Sequence, residues 1–191
     1  MCLLEQALVP PTVRDLIIQV PLGHSADASV FLVRQEAPSP ALLRLKVWRR
    51  TAPAGFPAAV AELTRILEDL AEPVIVPPLT AYLDAIGRPV VLSAFRQGIP
   101  MLHAVQSGSL EPGVAMVLLD SLVSTLGRCH TADLAHGSIV PGNVMASPDG
   151  AAAFLVDFGL GPLSGGTSQG CAATDVAGVS ALASAVRAMR V

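Results

Sequence analysis

The sequence predicts an α+β protein in two parts: a five-stranded antiparallel sheet with one helix over residues 1–95, then a shortened, mainly helical part over residues 96–191. Three observations predict it. Short apolar runs appear in the order three strands, one helix, two strands. Composition shifts near residue 96. Beyond that point a long helical stripe runs from Pro112 to Thr131.

Residues 1–9 read as a short helix or arm ended by Pro10-Pro11. Residues 13–20 and 28–34 read as a strand pair, with a turn-rich loop Pro-Leu-Gly-His-Ser-Ala-Asp between them. Pro38 to Pro40 makes the next turn, and residues 41–48 form a third strand. Thr51 to Pro57 is a loop of small residues and proline. Over residues 58–70, Val60, Leu63, Ile66, Leu67 and Leu70 fall on one helical face. Two more strands, 79–84 and 89–95, join around Ala85-Ile86-Gly87. In the long helix, Val114, Val117, Leu118, Ser121, Leu122 and Leu126 form the expected apolar stripe. Residues 134–160 break into short strands and turns, including Ser147-Pro148-Asp149-Gly150. A glycine- and serine-rich loop spans 161–172, and residues 174–190 form a last helix rich in small residues.

Composition bounds the function. A hydrophobic fraction of 52% with only 14% charged residues points to a packed chain rather than a disordered one. A net charge of −3 without a basic stripe argues against nucleic-acid binding. No apolar run is long enough to span a membrane, and Met-Cys-Leu-Leu-Glu-Gln lacks the basic start of a secretion signal. The three cysteines, Cys2, Cys129 and Cys171, fit reduced structural thiols in a cytoplasm. The alanine-rich, arginine-over-lysine usage suggests a GC-rich bacterial genome. Eleven of the cationic residues are arginine; the single lysine, Lys46, ends a strand-like apolar run. A compact ammonium and a planar guanidinium are not interchangeable, so this lysine becomes informative if the rest of a phosphate site is found around it.

The segment His136-Gly-Ser-Ile-Val-Pro-Gly-Asn-Val-Met145, followed by Phe154-Leu-Val-Asp-Phe-Gly159, resembles the protein-kinase family. Ser138 to Asn143 spans the same five steps as that family's catalytic aspartate to asparagine, and Asp157-Phe158-Gly159 matches Asp-Phe-Gly in full. His130 matches the histidine that usually ends the preceding helix. The resemblance implies a two-lobe kinase-like fold, with Lys46 on the nucleotide phosphates and paired to Glu62, or to Glu68 nearer the helix end. It implies Asp157 and Asn143 as magnesium ligands. The glycine-rich loop would align on Gly23, Ser25, Ala28 and Val30, of which only Gly23 and Val30 keep the pattern. The hinge would fall at Ser93-Ala94-Phe95-Arg96, with backbone groups of Ala94 and Arg96 on adenine. Ser93 would stand at the back of the pocket, and Val30, Leu92 and Met145 would sandwich the base.

Three departures restrict the resemblance. Ser138 stands where active kinases carry the aspartate that accepts the substrate proton, and loss of a positioned base typically costs about 10²–10⁴ in rate. Val140 stands where they carry a lysine beside the transferred phosphate, and Gly137 replaces an arginine that receives an activation-loop phosphate. The lower part is short: no Ala-Pro-Glu follows, and Thr174-Asp175-Val176 resembles the helix start whose aspartate braces the catalytic loop. Thr167 and Ser168 are polar loop residues open to modification. The expectation is therefore a pseudokinase that binds ATP and magnesium and works through a protein partner or homodimer, with little phosphoryl transfer. Two alternatives stand beside it: a divergent minimal Ser/Thr or small-molecule phosphotransferase, and a structural remnant that binds no nucleotide. A short lower part should leave apolar surface uncovered near the long helix.

Overall fold

The computed structural model describes residues 16–36, 39–163 and 171–189. The expected arm at 1–9, the start of the first strand at residue 13, Cys2, Pro38, Thr167 and Ser168 lie outside the described residues. The fold is mixed α+β: a five-stranded antiparallel sheet with a helix, and a separate, mostly helical region. The chain divides into two compact units. The first holds residues 16–65 and Pro78–Phe95; the second holds Ile66–Pro77, Arg96–Pro162 and residues 171–189.

The sheet of the first unit is made of β1 (Leu16–His24), β2 (Ala28–Gln35), β3 (Ala41–Trp48), β4 (Pro78–Leu83) and β5 (Pro89–Ala94), in the order β1-β2-β3-β5-β4. Strict alternation sends Val33, Leu43, Leu45, Tyr82, Val90 and Leu92 to one face, where they form a buried cluster. Burial also raises the phenol pKa of Tyr82. The helix α1 (Phe56–Leu70) buries Phe56, Val60, Leu63 and Leu67 as its spacing requires. Phe56 meets Trp48 edge-on, with ring centroids 6.4 Å apart.

One expectation is corrected here. The segment from Pro21 to His24 is not a loop but the second half of β1. Proline and glycine are admitted because β1 is an edge strand, and the register shifts between Ile18 and Val20 and again between Pro21 and Gly23. The turn shrinks to the residues between His24 and Ala28. The Ser25 hydroxyl accepts hydrogen bonds from the backbone N–H groups of Asp27 (3.2 Å) and Ala28 (3.1 Å) and so closes it.

In the second unit, β6 (Ile99–Pro100), β7 (Val144–Ala146) and β8 (Ala153–Leu155) form a small sheet, and residues 74–76 pair alongside β8. A short helix α2 (Met101–Gln106), which the sequence pattern did not reveal, buries Met101, Ala104 and Val105. The helix α3 spans Pro112–Thr131 as expected, with Pro112 in its first turn where a missing N–H costs nothing. Its apolar phase is a second correction. The buried residues are Ala115, Leu119, Leu122, Thr125, Leu126 and Cys129, while Val114 and Val117 lie exposed. Valine and leucine occur nearly all round this helix, so packing against α5 (Ala172–Ala188) selects the buried face. A capping box between Cys171 and Thr174 starts α5. Between them lies the four-residue helix α4 (Leu160–Leu163). Among the described residues, no helix is long and apolar enough to cross a membrane.

Ala71, just past α1, has φ of 50°, a left-handed conformation that disfavours any side chain. Its N–H bonds the carbonyls of Leu67 and Glu68, so the conformation closes the helix end. Ala71→Gly should therefore stabilise the protein by about 0.5–1 kcal/mol, the relief of left-handed strain exceeding the added unfolded-state entropy. Denaturant titration would register it as a higher midpoint at unchanged slope.

Candidate functional site

The segment 136–143 in the second unit is held from several sides. Asp175, fully buried in the first turn of α5, accepts hydrogen bonds from the backbone N–H of His136 (2.8 Å) through one oxygen and from that of Gly137 (2.8 Å) through the other. The His130 ring nitrogen Nε2, at the end of α3, lies 2.9 Å from the same carboxylate. The expected brace is thus present, and His130 joins it. Gly137 has φ of 74°, which glycine adopts freely.

His136 is buried, and its two ring nitrogens have distinct partners. Nε2 lies 3.0 Å from the carbonyl of Val156, and Nδ1 accepts the N–H of Ser138 at 3.3 Å. That arrangement suits a neutral ring protonated on Nε2. Burial lowers its pKa, against the opposing pull of the Asp175 and Asp157 carboxylates. The ring also packs against Phe158 at a centroid distance of 5.2 Å, and the N–H of Gly159 bonds the carbonyl of His136. Sequence reasoning noted the His136 position but missed this buried role.

Asn143 closes a single 3-10 turn, Pro141–Asn143, and its side-chain amide donates to the carbonyl of Ser138 at 2.9 Å. That bond uses the amide nitrogen and leaves the amide oxygen as the acceptor of the side chain. The N–H of Val156 bonds the carbonyl of Asn143, tying the loop to the segment that leads into Asp157. Asp157 is buried and has φ of 64°. A non-glycine residue held left-handed in a buried turn is the kind of strain that collects at functional sites. The side chains of Asn143 and Asp157 carry oxygen donors of the type magnesium takes. Among the described residues, no group of three or more His, Cys, Asp and Glu side chains is placed to hold a metal by itself. A cation here would take its remaining ligands from an anionic ligand and water.

Ser138 is partly buried, and a Cβ on Gly161 would lie 3.5 Å from its own Cβ, so α4 packs directly against it. Val140 is exposed. Asp133 sits exposed past the end of α3, with φ of 56°. Gly178 in α5 went unnoticed in the sequence. A Cβ there would come within 2.5 Å of the Ile139 carbonyl oxygen, so only glycine lets α5 approach the loop. The signal was present: a glycine inside a helix costs roughly 1 kcal/mol and needs a packing reason. Met145 lies on β7, partly buried against Val76, Phe154 and Val156. The Arg96 guanidinium stacks over the Phe154 ring at 4.5 Å and donates to the carbonyl of Pro73 at 2.7 Å.

In the first unit, Val30 pairs with Lys46 across β2 and β3, and Lys46 pairs with Val91 on β5. The Lys46 ammonium lies 4.6 Å from the centroid of the Trp48 ring. Glu62 is exposed on α1 and accepts two hydrogen bonds from Arg65, at 3.2 and 2.8 Å, which hold its pKa low. Gly23 pairs with Val30, and a Cβ on it would meet nothing. The amides of Asp27 and Ala28, which a phosphate-cradling loop would present, point to the Ser25 hydroxyl instead. Ser93 is buried on β5; Ala94, which ends that strand, is exposed. His24 and His103 are exposed, and Trp48 is buried core. Of the described cysteines, Cys129 is buried and its thiol is pushed up to about 11 by that burial, whereas Cys171 is exposed at its helix cap.

Comparison with protein-family models and with curated protein sequences gives no match.

Two outcomes follow from the buried groups. Asp175→Ala leaves the amides of His136 and Gly137 buried and unpaired, and should destabilise the protein by about 3 kcal/mol or more in denaturant titration. His136 has a folded pKa below its ordinary value of 6.5. The unfolded chain then binds the extra proton as pH falls through about 6.5, so stability should drop below that pH. His136→Gln should flatten this acid limb in melts recorded from pH 7.5 to pH 5.

Proposed function

We propose that this chain is a kinase-like pseudoenzyme that binds ATP with magnesium and transfers phosphate weakly or not at all. Lys46 contacts the phosphates, and Asn143 and Asp157 hold the metal, whose charge offsets that of the phosphates when bound. The observation that carries the reading is the frame around Asp157. A buried, left-handed aspartate follows a loop braced by Asp175 and His136, and Asn143 is pinned to Ser138 within that loop. The order of these residues matches the kinase motifs in the sequence. The frame is built for positioning oxygen donors, and it contains no carboxylate at residue 138 to accept a substrate proton.

The same frame argues for binding over catalysis. The Ser138 hydroxyl is not ionised near neutral pH, and Val140 supplies no charge to a transferring phosphate. Function then passes through a protein partner or a second copy of the chain, in a cytoplasmic setting. Exposed Val114, Val117 and Val176 on α3 and α5 support a surface of that kind. Sedimentation analysis should return a dimer or larger species; a monodisperse monomer at high concentration removes the self-association.

Nucleotide binding is tested by thermal melting. Magnesium-ATP at one hundred times its dissociation constant should add about 2.7 kcal/mol of stability, and Lys46→Ala should abolish the gain. No shift at millimolar ATP would leave a protein that binds no nucleotide. A radiolabelled transfer assay should show little or no signal above buffer, and Ser138→Asp alone should not restore strong activity. Transfer by the native chain that Asp157→Ala abolishes would make it an enzyme instead.

A further inference from the structure

Two residues of α5, one turn apart, meet the loop at 136–143 in opposite ways. Asp175 holds it close, taking the backbone N–H groups of His136 and Gly137 at 2.8 Å each. Gly178 makes room for it. A Cβ on Gly178 would stand 2.5 Å from the Ile139 carbonyl oxygen, 2.6 Å from the Ile139 Cβ and 3.0 Å from its Cγ2. The carbonyl oxygen and the Cβ move only with the backbone, so no rotamer of the buried Ile139 clears that space. A Cβ on Gly127, inside α3, would meet nothing. The tight approach therefore belongs to this contact and not to helical glycine in general.

Ser138 lies between the two contacts. Its carbonyl accepts the Asn143 side-chain amide at 2.9 Å. The Asn143 backbone is tied elsewhere, its carbonyl accepting the N–H of Val156 at 3.1 Å. A side chain at residue 178 would push Ile139 off the helix while Asp175 kept His136 and Gly137 against it. The loop would tilt at Ser138. The amide nitrogen of Asn143 would follow the Ser138 carbonyl, and the amide oxygen would turn with it, because the two atoms share one rigid plane.

We propose that Gly178 is a positioning residue for Asn143: glycine at this place in α5 sets where the Asn143 amide oxygen stands, and so how well it serves a metal. The inference deepens the magnesium reading above and rests on it for the metal. The coupling of residue 178 to the Asn143 amide stands on the contacts alone. Gly178 acts through Ile139 and Ser138, as residues behind the ligands of a metal site do.

Gly178→Ala tests it with two readouts. In metal-free NMR spectra the Asn143 side-chain amide resonances should shift. In magnesium titrations at fixed ATP, followed by melting and calorimetry, the apparent magnesium affinity should fall by about tenfold, as is usual for residues behind metal ligands. ATP affinity in metal-free buffer should stay at the native value. Alanine is the better helix former, so a loss in Gly178→Ala comes from the contact and not from the helix. Gly127→Ala should leave both readouts unchanged. If Gly178→Ala fails to fold by circular dichroism, Ile139→Ala, which removes the Cγ2 beside Gly178, stands in and should shift the same resonances and weaken magnesium in the same direction. Native magnesium affinity in the variant would overturn the proposal and leave the metal reading standing. An equal fall in metal-free and magnesium-dependent ATP binding would also overturn it, since a merely structural role predicts that result. A native chain that takes no magnesium with ATP would remove the metal reading and the metal role of Gly178 together, and a shifted Asn143 resonance would then keep only the contact.

Discussion

A carboxylate with no exposure at all, Asp175, fixes the backbone at the start of the loop that carries Ser138, Val140 and Asn143. Its two oxygens receive the amides of His136 and Gly137, and the His130 ring meets one of them. A buried carboxylate is costly to desolvate, and it persists only where such donors satisfy it. The consequence runs along the chain. With His136 and Gly137 held, the His136 ring reaches the carbonyl of Val156 and the amide of Ser138. The turn that follows Val156 then places Asp157 in its left-handed conformation. Gly178, one turn further along α5, admits Ile139 to the helix surface and completes the seat.

The two units solve different problems. The first is a sheet with an alternating apolar cluster on one face, while the other face holds Arg34, Arg44 and Lys46 beside the buried Trp48, Val91 and Ser93. The second is a set of short strands and helices tied by side-chain hydrogen bonds to backbone, where single polar residues matter more than apolar area. This division explains why the proposed chemistry splits as it does. The proposed phosphate contact, Lys46, sits on a regular strand, while the proposed oxygen donors for a metal, Asn143 and Asp157, sit on irregular segments beside a buried brace.

The serine at 138 changes what that brace is for. A loop held this firmly would orient a catalytic base at residue 138 well, yet that residue is a serine. Firm positioning without a proton acceptor suits a ligand that is held and not turned over. The proposal of a pseudoenzyme therefore leans on Ser138 and Val140, and the rest of the loop is compatible with binding.

Strand alternation, the α1 stripe and the bounds of α3 were legible in the sequence because each rests on local periodicity, which needs no knowledge of partners. The order of Lys46, Asn143 and Asp157 was legible too, since motif spacing is a property of the chain. What the sequence left open was decided by packing. The edge position of β1 let Pro21 and Gly23 remain in a strand that local rules would end. The helix α5 chose which face of α3, whose valines and leucines spread beyond one stripe, was buried, so Ala115 and Leu119 went inside and Val117 stayed out. The hydroxyl of Ser25 closed its own turn, and Arg65 took up Glu62. Sequence determined which groups were available and in what order. Tertiary structure determined their partners, because a hydrogen bond or a buried face is chosen among competitors that lie close in space and not in sequence.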